Sequence, residues 1–199
     1  MQSACYMSLY KKNGGFSLLE VMVTAAIIGI ITAVVVINYG SFNNTILLRN
    51  QAFEIALQLR EAQVYAVSVR GDSTEFREEY GIYFDMSNSQ QYLLFQDIGS
   101  ATPAYYDVGE GVGKASNIDS RFALDRICVN FSSSEDCSNE VDDLSISFKR
   151  PDFDAQFASV DGFNQGLGTI SNARIELRNL QGNNIRSVVV QSSGQIKIE

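Results

Sequence analysis

Lys11-Lys12-Asn13-Gly14-Gly15-Phe16-Ser17-Leu18-Leu19-Glu20 leads directly into Val21-Met22-Val23-Thr24-Ala25-Ala26-Ile27-Ile28-Gly29-Ile30-Ile31-Thr32-Ala33-Val34-Val35-Val36-Ile37. Between Lys12 and Arg49 the only ionisable side chain is Glu20. Extended backwards through Leu19, Leu18 and Phe16, the apolar run reaches the roughly 17 to 25 residues that a membrane-spanning helix needs. Lys11 and Lys12 precede it, so the positive-inside rule sends the C-terminal bulk of the chain out of the cytoplasm. A cleaved secretory signal fits less well, because Asn38 follows Ile37 where a small-x-small cleavage site is required.

Glu20 sets this segment apart from an ordinary anchor. An acidic side chain near the centre of a span costs on the order of 2.5 kcal/mol or more, so it marks a function and needs a partner. Nothing basic lies nearby in the span. Cutting between Gly15 and Phe16 would create an α-amine with a reference pKa of about 8. On a helix Phe16 and Glu20 are i and i+4, close enough for that amine and the carboxylate to pair within a subunit or between neighbours.

The whole chain has 199 residues, 45% of them hydrophobic, with a formal charge of −8, no His, no Trp and 3 Cys. Without His, every Ser-His-Asp and Cys-His arrangement and all imidazole metal sites are excluded. No pairing of nucleophile and base can be named, so the expected protein is not an enzyme and uses no cofactor. Its acidity is segregated. Residues 70–199 hold 11 basic and 20 acidic side chains, while the hydrophobic excess sits in the N-terminal segment. Such a head is repelled by phosphate backbones unless a local basic patch overrides the average.

Lys11 to Glu20 followed by the apolar helix resembles the class III prepilin signal of type IV pilins and type II secretion pseudopilins. The resemblance implies cleavage after Gly15 by a prepilin peptidase and N-methylation of Phe16. It also implies that Glu20 registers a new subunit against the methylated N-terminus of its neighbour. The chain is most similar to the H-type minor pseudopilin and FimT-type minor pilins. That similarity rests on Leu59-Arg60-Glu61-Ala62-Gln63-Val64-Tyr65-Ala66, on Phe148-Lys149-Arg150-Pro151-Asp152 and on Ser193-Gly194-Gln195-Ile196-Lys197.

Four segments follow: a leader over 1–15, a membrane or filament-core helix over 16–39, an amphipathic continuation over 40–69 and a β-rich head over 70–199. Helix propensity drops at Asn38 and Gly40, where a bend is expected in a helix about 80 Å long. Beyond it, Ile46, Phe53, Leu57, Val64 and Val67 define one apolar seam, expected to pack on the sheet, and Gly71 with Asp72 marks the helix end. Strands are expected at 81–84, 91–95, 122–131, 144–149, 155–160, 173–178, 185–190 and 195–198, with an Asp85–Ser89 turn closing a hairpin. The fold class is α+β and pilin-like: a long helix laid across an antiparallel sheet, or across two small sheets.

Loss of the leader removes Cys5 and leaves Cys128 and Cys137, which in an exported domain favours a disulfide closing a short loop. Asp142-Asp143, Asp152 with Asp154, and Glu78-Glu79 offer oxygen ligands but lack EF-hand spacing, so they read as solvated acids and no metal site is expected. Gly109 to Lys114 lacks the phosphate-loop spacing and reads as a flexible loop. FimT-type proteins include DNA-binding members whose basic residues the resemblance places on the C-terminal hairpin. Here residues 171–199 offer Arg186 and Lys197 within a local +2, and Gln195 stands where a basic motif would put Arg, so DNA is the minority reading. The expected function is a pilin-like subunit of the inner membrane that joins a periplasmic pseudopilus or an extracellular pilus. Its partners would be other subunits, the prepilin peptidase and the membrane. A tethered binding protein that does not assemble is the other alternative.

Overall fold

The computed structural model describes residues 15–68, 79–98, 104–131, 137, 139–149, 151, 153–159, 170–181 and 183–199, with only the backbone of 38–42. The chain divides into two units, Met1–Asn43 and Asn44–Glu199. A single helix, α1 (Leu18–Val67), supplies residues to both. The weak helix formers Asn38 and Gly40 therefore do not end the element. Gly71 and Asp72, expected to mark its end, lie outside the described residues.

In the first unit, Leu18–Ile37 is apolar and none of it is buried. Among the described residues nothing covers this surface, and in water it would be strongly unfavourable at about 25 cal/mol per Å². The two hydroxyls it contains are satisfied internally. Thr24 Oγ1 donates to the carbonyl of Val21 at 3.0 Å and Thr32 Oγ1 to that of Ile28 at 2.6 Å. Those bonds remove the polar cost that free hydroxyls would carry in hydrocarbon.

Among its described residues the second unit has ten strands in two antiparallel five-stranded sheets. One sheet runs β3-β2-β1-β6-β7, from β1 (Glu79–Asp85), β2 (Gln91–Asp97), β3 (Ser116–Asn117), β6 (Asp143–Phe148) and β7 (Ala155–Ala158). The other runs β10-β9-β8-β4-β5, from β4 (Phe122–Asn130), β5 (Asn139–Val141), β8 (Asn172–Asn179), β9 (Ile185–Gln191) and β10 (Ile196–Ile198). The eight expected strands correspond to eight of these. The short β3 and β5 carry too few residues for an alternation to show. The β1–β2 hairpin is closed by a 3₁₀ turn that Asp85 caps, accepting from the Ser87 N–H at 2.7 Å.

Alternate residues of both sheets face one core with the second half of α1. Ile82, Phe84, Leu144, Ile146 and Phe148 meet Ile127, Val129, Ile175, Leu177, Val188 and Val190, with Leu48, Ala52, Ile55, Ala56, Leu59, Ala62 and Ala66 of the helix. This overturns the seam expected from sequence: Ile46, Phe53, Leu57 and Val64 are exposed, and Val67 is exposed too. At 3.6 residues per turn, Ile46 and Ile55 are half a turn apart in projection. The buried stripe mixes Leu48, Ile55 and Leu59 with four alanines, which do not register as large apolar residues. Counting only large apolar residues selects the opposite stripe.

Candidate functional site

Gly15, Phe16 and Ser17 precede α1, and Ser17 caps it. Its Oγ accepts the Glu20 N–H at 3.2 Å, and its carbonyl accepts the same N–H at 3.0 Å and that of Val21 at 3.3 Å. Ser17-x-x-Glu20 has the spacing of a capping box, a signal the sequence reading passed over. Glu20 sits in the first turn, where the positive end of the helix dipole favours a carboxylate. Phe16 lies outside the helix and is 81% exposed. In the uncut chain, then, Phe16 and Glu20 are separated by the cap rather than stacked as i and i+4. The glycines before Phe16 give helix no support from that side.

Cys128, buried on β4, is bridged to Cys137, with the sulfurs 1.97 Å apart and the Cα atoms 5.3 Å apart. The bridge ties β4 to a residue two positions before β5. Closure of so short a loop contributes about 2–3 kcal/mol in the chain-entropy model.

The face of the second sheet that points away from the core is a lattice of ion pairs. Arg126 meets Glu176 at 2.7 Å, Arg174 meets Glu199 at 2.7 Å, Lys197 meets Glu199 at 2.6 Å and Arg178 meets Asp125 at 3.2 Å. Lys197, with Arg174 behind it, holds the Glu199 carboxyl below its usual range. The C-terminal excess of positive charge is thus largely spent within the face. Arg186 and Lys197, the two candidate phosphate contacts, do not form one patch. Lys197 lies opposite Val189 and Arg186 opposite Leu177, an odd offset along β9 that sends them to different faces. Lys197 and Glu199 instead wall a polar cavity of about 300 Å³ with Ser171, Asn172, Gln191 and Ser193.

On the first sheet, the outward face is covered by residues 104–112. Tyr105 Oη donates to Asp143 Oδ2 at 2.6 Å, Ser159 Oγ donates to Asp143 Oδ1 at 2.9 Å, and the Tyr106 N–H donates to Ser145 Oγ at 3.0 Å. Burial, with the Asp143 hydrogen bond behind it, raises the Tyr105 phenol well above its ordinary value. Tyr83 packs against Tyr106 with ring centroids 4.9 Å apart. Gly109 to Lys114 is less free than its glycines suggest: Gln96 N–H donates to the Glu110 carbonyl and Val112 N–H to that of Leu94, pinning it along β2. Of the acidic clusters, Asp143 is engaged as above and Glu79 pairs with Lys149 and Ser147, while Glu78 and Asp152 lie outside the described residues. Among the described residues no group of three or more Cys, Asp or Glu is placed to hold a metal.

Compared with known proteins, residues 10–36 match the family model described as the prokaryotic N-terminal methylation motif. No curated protein and no solved structure matches the chain. The motif spans the candidate cleavage and methylation positions, Glu20 and most of the exposed apolar run. It gives the chain a type IV pilin-like N-terminus of the prepilin kind, suited to membrane insertion.

Proposed function

We propose that this chain is a structural subunit, not an enzyme: a minor pseudopilin of a type II secretion system or a minor pilin of a type IV pilus. It is held in the inner membrane with its head outside the cytoplasm, cut after Gly15, methylated at Phe16 and assembled through α1. The observation that carries this reading is the methylation motif running into a 20-residue apolar helix with no buried residue. A surface of that kind is stable only in lipid or among other helices. Glu20 can then act at the moment of transfer, its carboxylate meeting the new amine of a neighbour in a medium of low dielectric, where the pair is strongest. The exposed stripe Ile46, Phe53, Leu57 and Val64 supports the same reading, because it offers neighbouring subunits a second apolar contact beyond the span.

The N-terminal mass of the protein recovered from cells tests processing. A chain that begins at a methylated Phe16 is expected, and one that keeps Met1 overturns the reading in favour of a plain anchor. Glu20→Ala is expected to insert normally yet enter fibres poorly. Wild-type incorporation of that variant would remove Glu20 from assembly. DNA binding as the main task finds no support in the arrangement of Arg186 and Lys197.

A further inference from the structure

We propose that one end of the head, built from the β8–β9 turn and the loop before β4, is a docking surface for anionic lipid headgroups. The proposal rests on the reading above that Leu18–Ile37 lies in a bilayer. Two loops meet the first turns of α1 within the second unit. Asn184 Nδ2 donates to Thr45 Oγ1 at 3.0 Å, and the Asp119 N–H donates to Gln51 Oε1 at 3.1 Å. The loops are joined to each other by the Leu180 N–H, which donates to the Arg121 carbonyl at 2.9 Å. Thr45 follows Ile37 by eight positions, so the connecting chain spans at most about 28 Å even when fully extended and keeps this end within reach of the bilayer surface. Tyr39 and Phe42 occupy the sequence between, where interfacial aromatic residues belong.

Two properties single this end out. Leu180 is 49% exposed and Ile185 43% exposed on the turn, beside the exposed Ile46. At this end stand Arg49, Arg121, Arg178 and Arg186, the last two from opposite faces of the second sheet, against Glu54, Asp119 and Asp125 among the described residues; Asp119 and Asp125 pair with Arg121 and Arg178, and Glu54 accepts from Gln51. Arg49 lies over the Phe53 ring and Arg186 donates to the Ile185 carbonyl, and neither engages a carboxylate among the described residues. Residues 44–199 as a whole carry 13 basic and 22 acidic side chains, a net −9. An anionic bilayer repels such a body everywhere except at an end of reversed sign. Arginines interspersed with exposed Leu and Ile side chains are the pattern of an interfacial segment. A nucleic-acid backbone would use the arginines and leave Leu180 and Ile185 without a role.

The chain contains no Trp, so one introduced Trp is the only indole. Full-length protein carrying Leu180→Trp is reconstituted in phosphatidylcholine vesicles with or without phosphatidylglycerol, with brominated acyl chains as quencher. Phe153→Trp serves as the distal control. Its carbonyl abuts Gly194, whose own carbonyl accepts from Gln63, 18 positions beyond Thr45. Val36→Trp reports the span itself. The expected result is blue-shifted, quenched emission at position 180 in anionic vesicles, with none at 153. Adding Arg49→Gln and Arg186→Gln should lower the docked-to-undocked ratio by about fivefold per charge. Position 180 unquenched while position 36 is quenched overturns the docking surface and leaves the membrane reading intact. Position 36 unquenched overturns both. Equal quenching at 180 without phosphatidylglycerol overturns the assignment to anionic lipid.

Discussion

Gly81 shows how much a single hydrogen can decide. It sits on β1 opposite Phe95, and a Cβ built there would lie 2.5 Å from the Ile146 carbonyl oxygen and 2.7 Å from the Phe95 ring. The ring approaches the strand this closely only because no side chain is present, and Tyr106 meets it edge to face with centroids 5.8 Å apart. Gly81→Ala must displace backbone or a fully buried ring, and overpacking of that kind costs about 1–3 kcal/mol. Urea melts should show the midpoint fall without a change of slope. Asp119 offers a finer probe. Hydrogen bonds from Arg121, first from its side chain and then from its backbone, lower the Asp119 carboxyl from 3.8 to about 2. A carboxyl depressed on folding adds stability that is present above its unfolded value and is lost as pH falls through the folded one. The window here runs from pH 3.8 down to about 2. Both partners are about a third exposed, so screening keeps the effect small. Melting temperatures of wild type and Asp119→Asn should differ at neutral pH and converge across that window; a constant difference would show that the carboxylate charge is not what matters.

At the scale of elements, α1 separates what its sequence reveals from what it hides. The apolar run needed no structure to be recognised, since its length and lack of charge leave few alternatives. Eight strands were legible from alternation and turn residues. The face of the second half of the helix was not. Ile46, Phe53, Leu57 and Val64 form a stripe of large side chains, and hydrophobic size draws attention to them, yet Ala52, Ala56, Ala62 and Ala66 are the ones packed. Alanine is the best helix former and too common in any helix to announce a buried face. The strap carrying Tyr105 and Tyr106 was equally silent, because its partners Asp143 and Ser145 are chosen by tertiary geometry, whereas the Ser17 cap was legible in its spacing to Glu20. Two substitutions two positions apart test the assignment. Leu59 is 0% exposed and Leu57 60% exposed. Leu59→Ala should destabilise the head by about 2–5 kcal/mol through lost burial and a cavity. Leu57→Ala should stay within about 0.5 kcal/mol in the isolated subunit and reduce its incorporation into fibres. The opposite ranking in urea would mean that the helix is rotated by half a turn.

For the whole molecule, the division at Asn43 is also a division of energetics. Every core residue shared by the sheets and the helix lies at or beyond Leu48, while Leu18–Ile37 contributes no burial at all. Leu18–Ile37 therefore brings no buried apolar surface to that core, and the free energy of burying it is realised against lipid or other subunits. The second unit has its own core, a bridged pair in Cys128 and Cys137, and enough net negative charge to stay dispersed. A fragment of Asn44–Glu199, secreted to an oxidising compartment, is accordingly expected to be soluble and to unfold in one cooperative step. Its urea midpoint should match that of the full chain in detergent micelles. It should compete poorly for fibre entry, since both the methylation motif and the apolar run are gone. A fragment that melts far earlier than the full chain would show that the helix before Asn44 braces the head, and the separation of an assembly rod from a self-sufficient head would have to be abandoned.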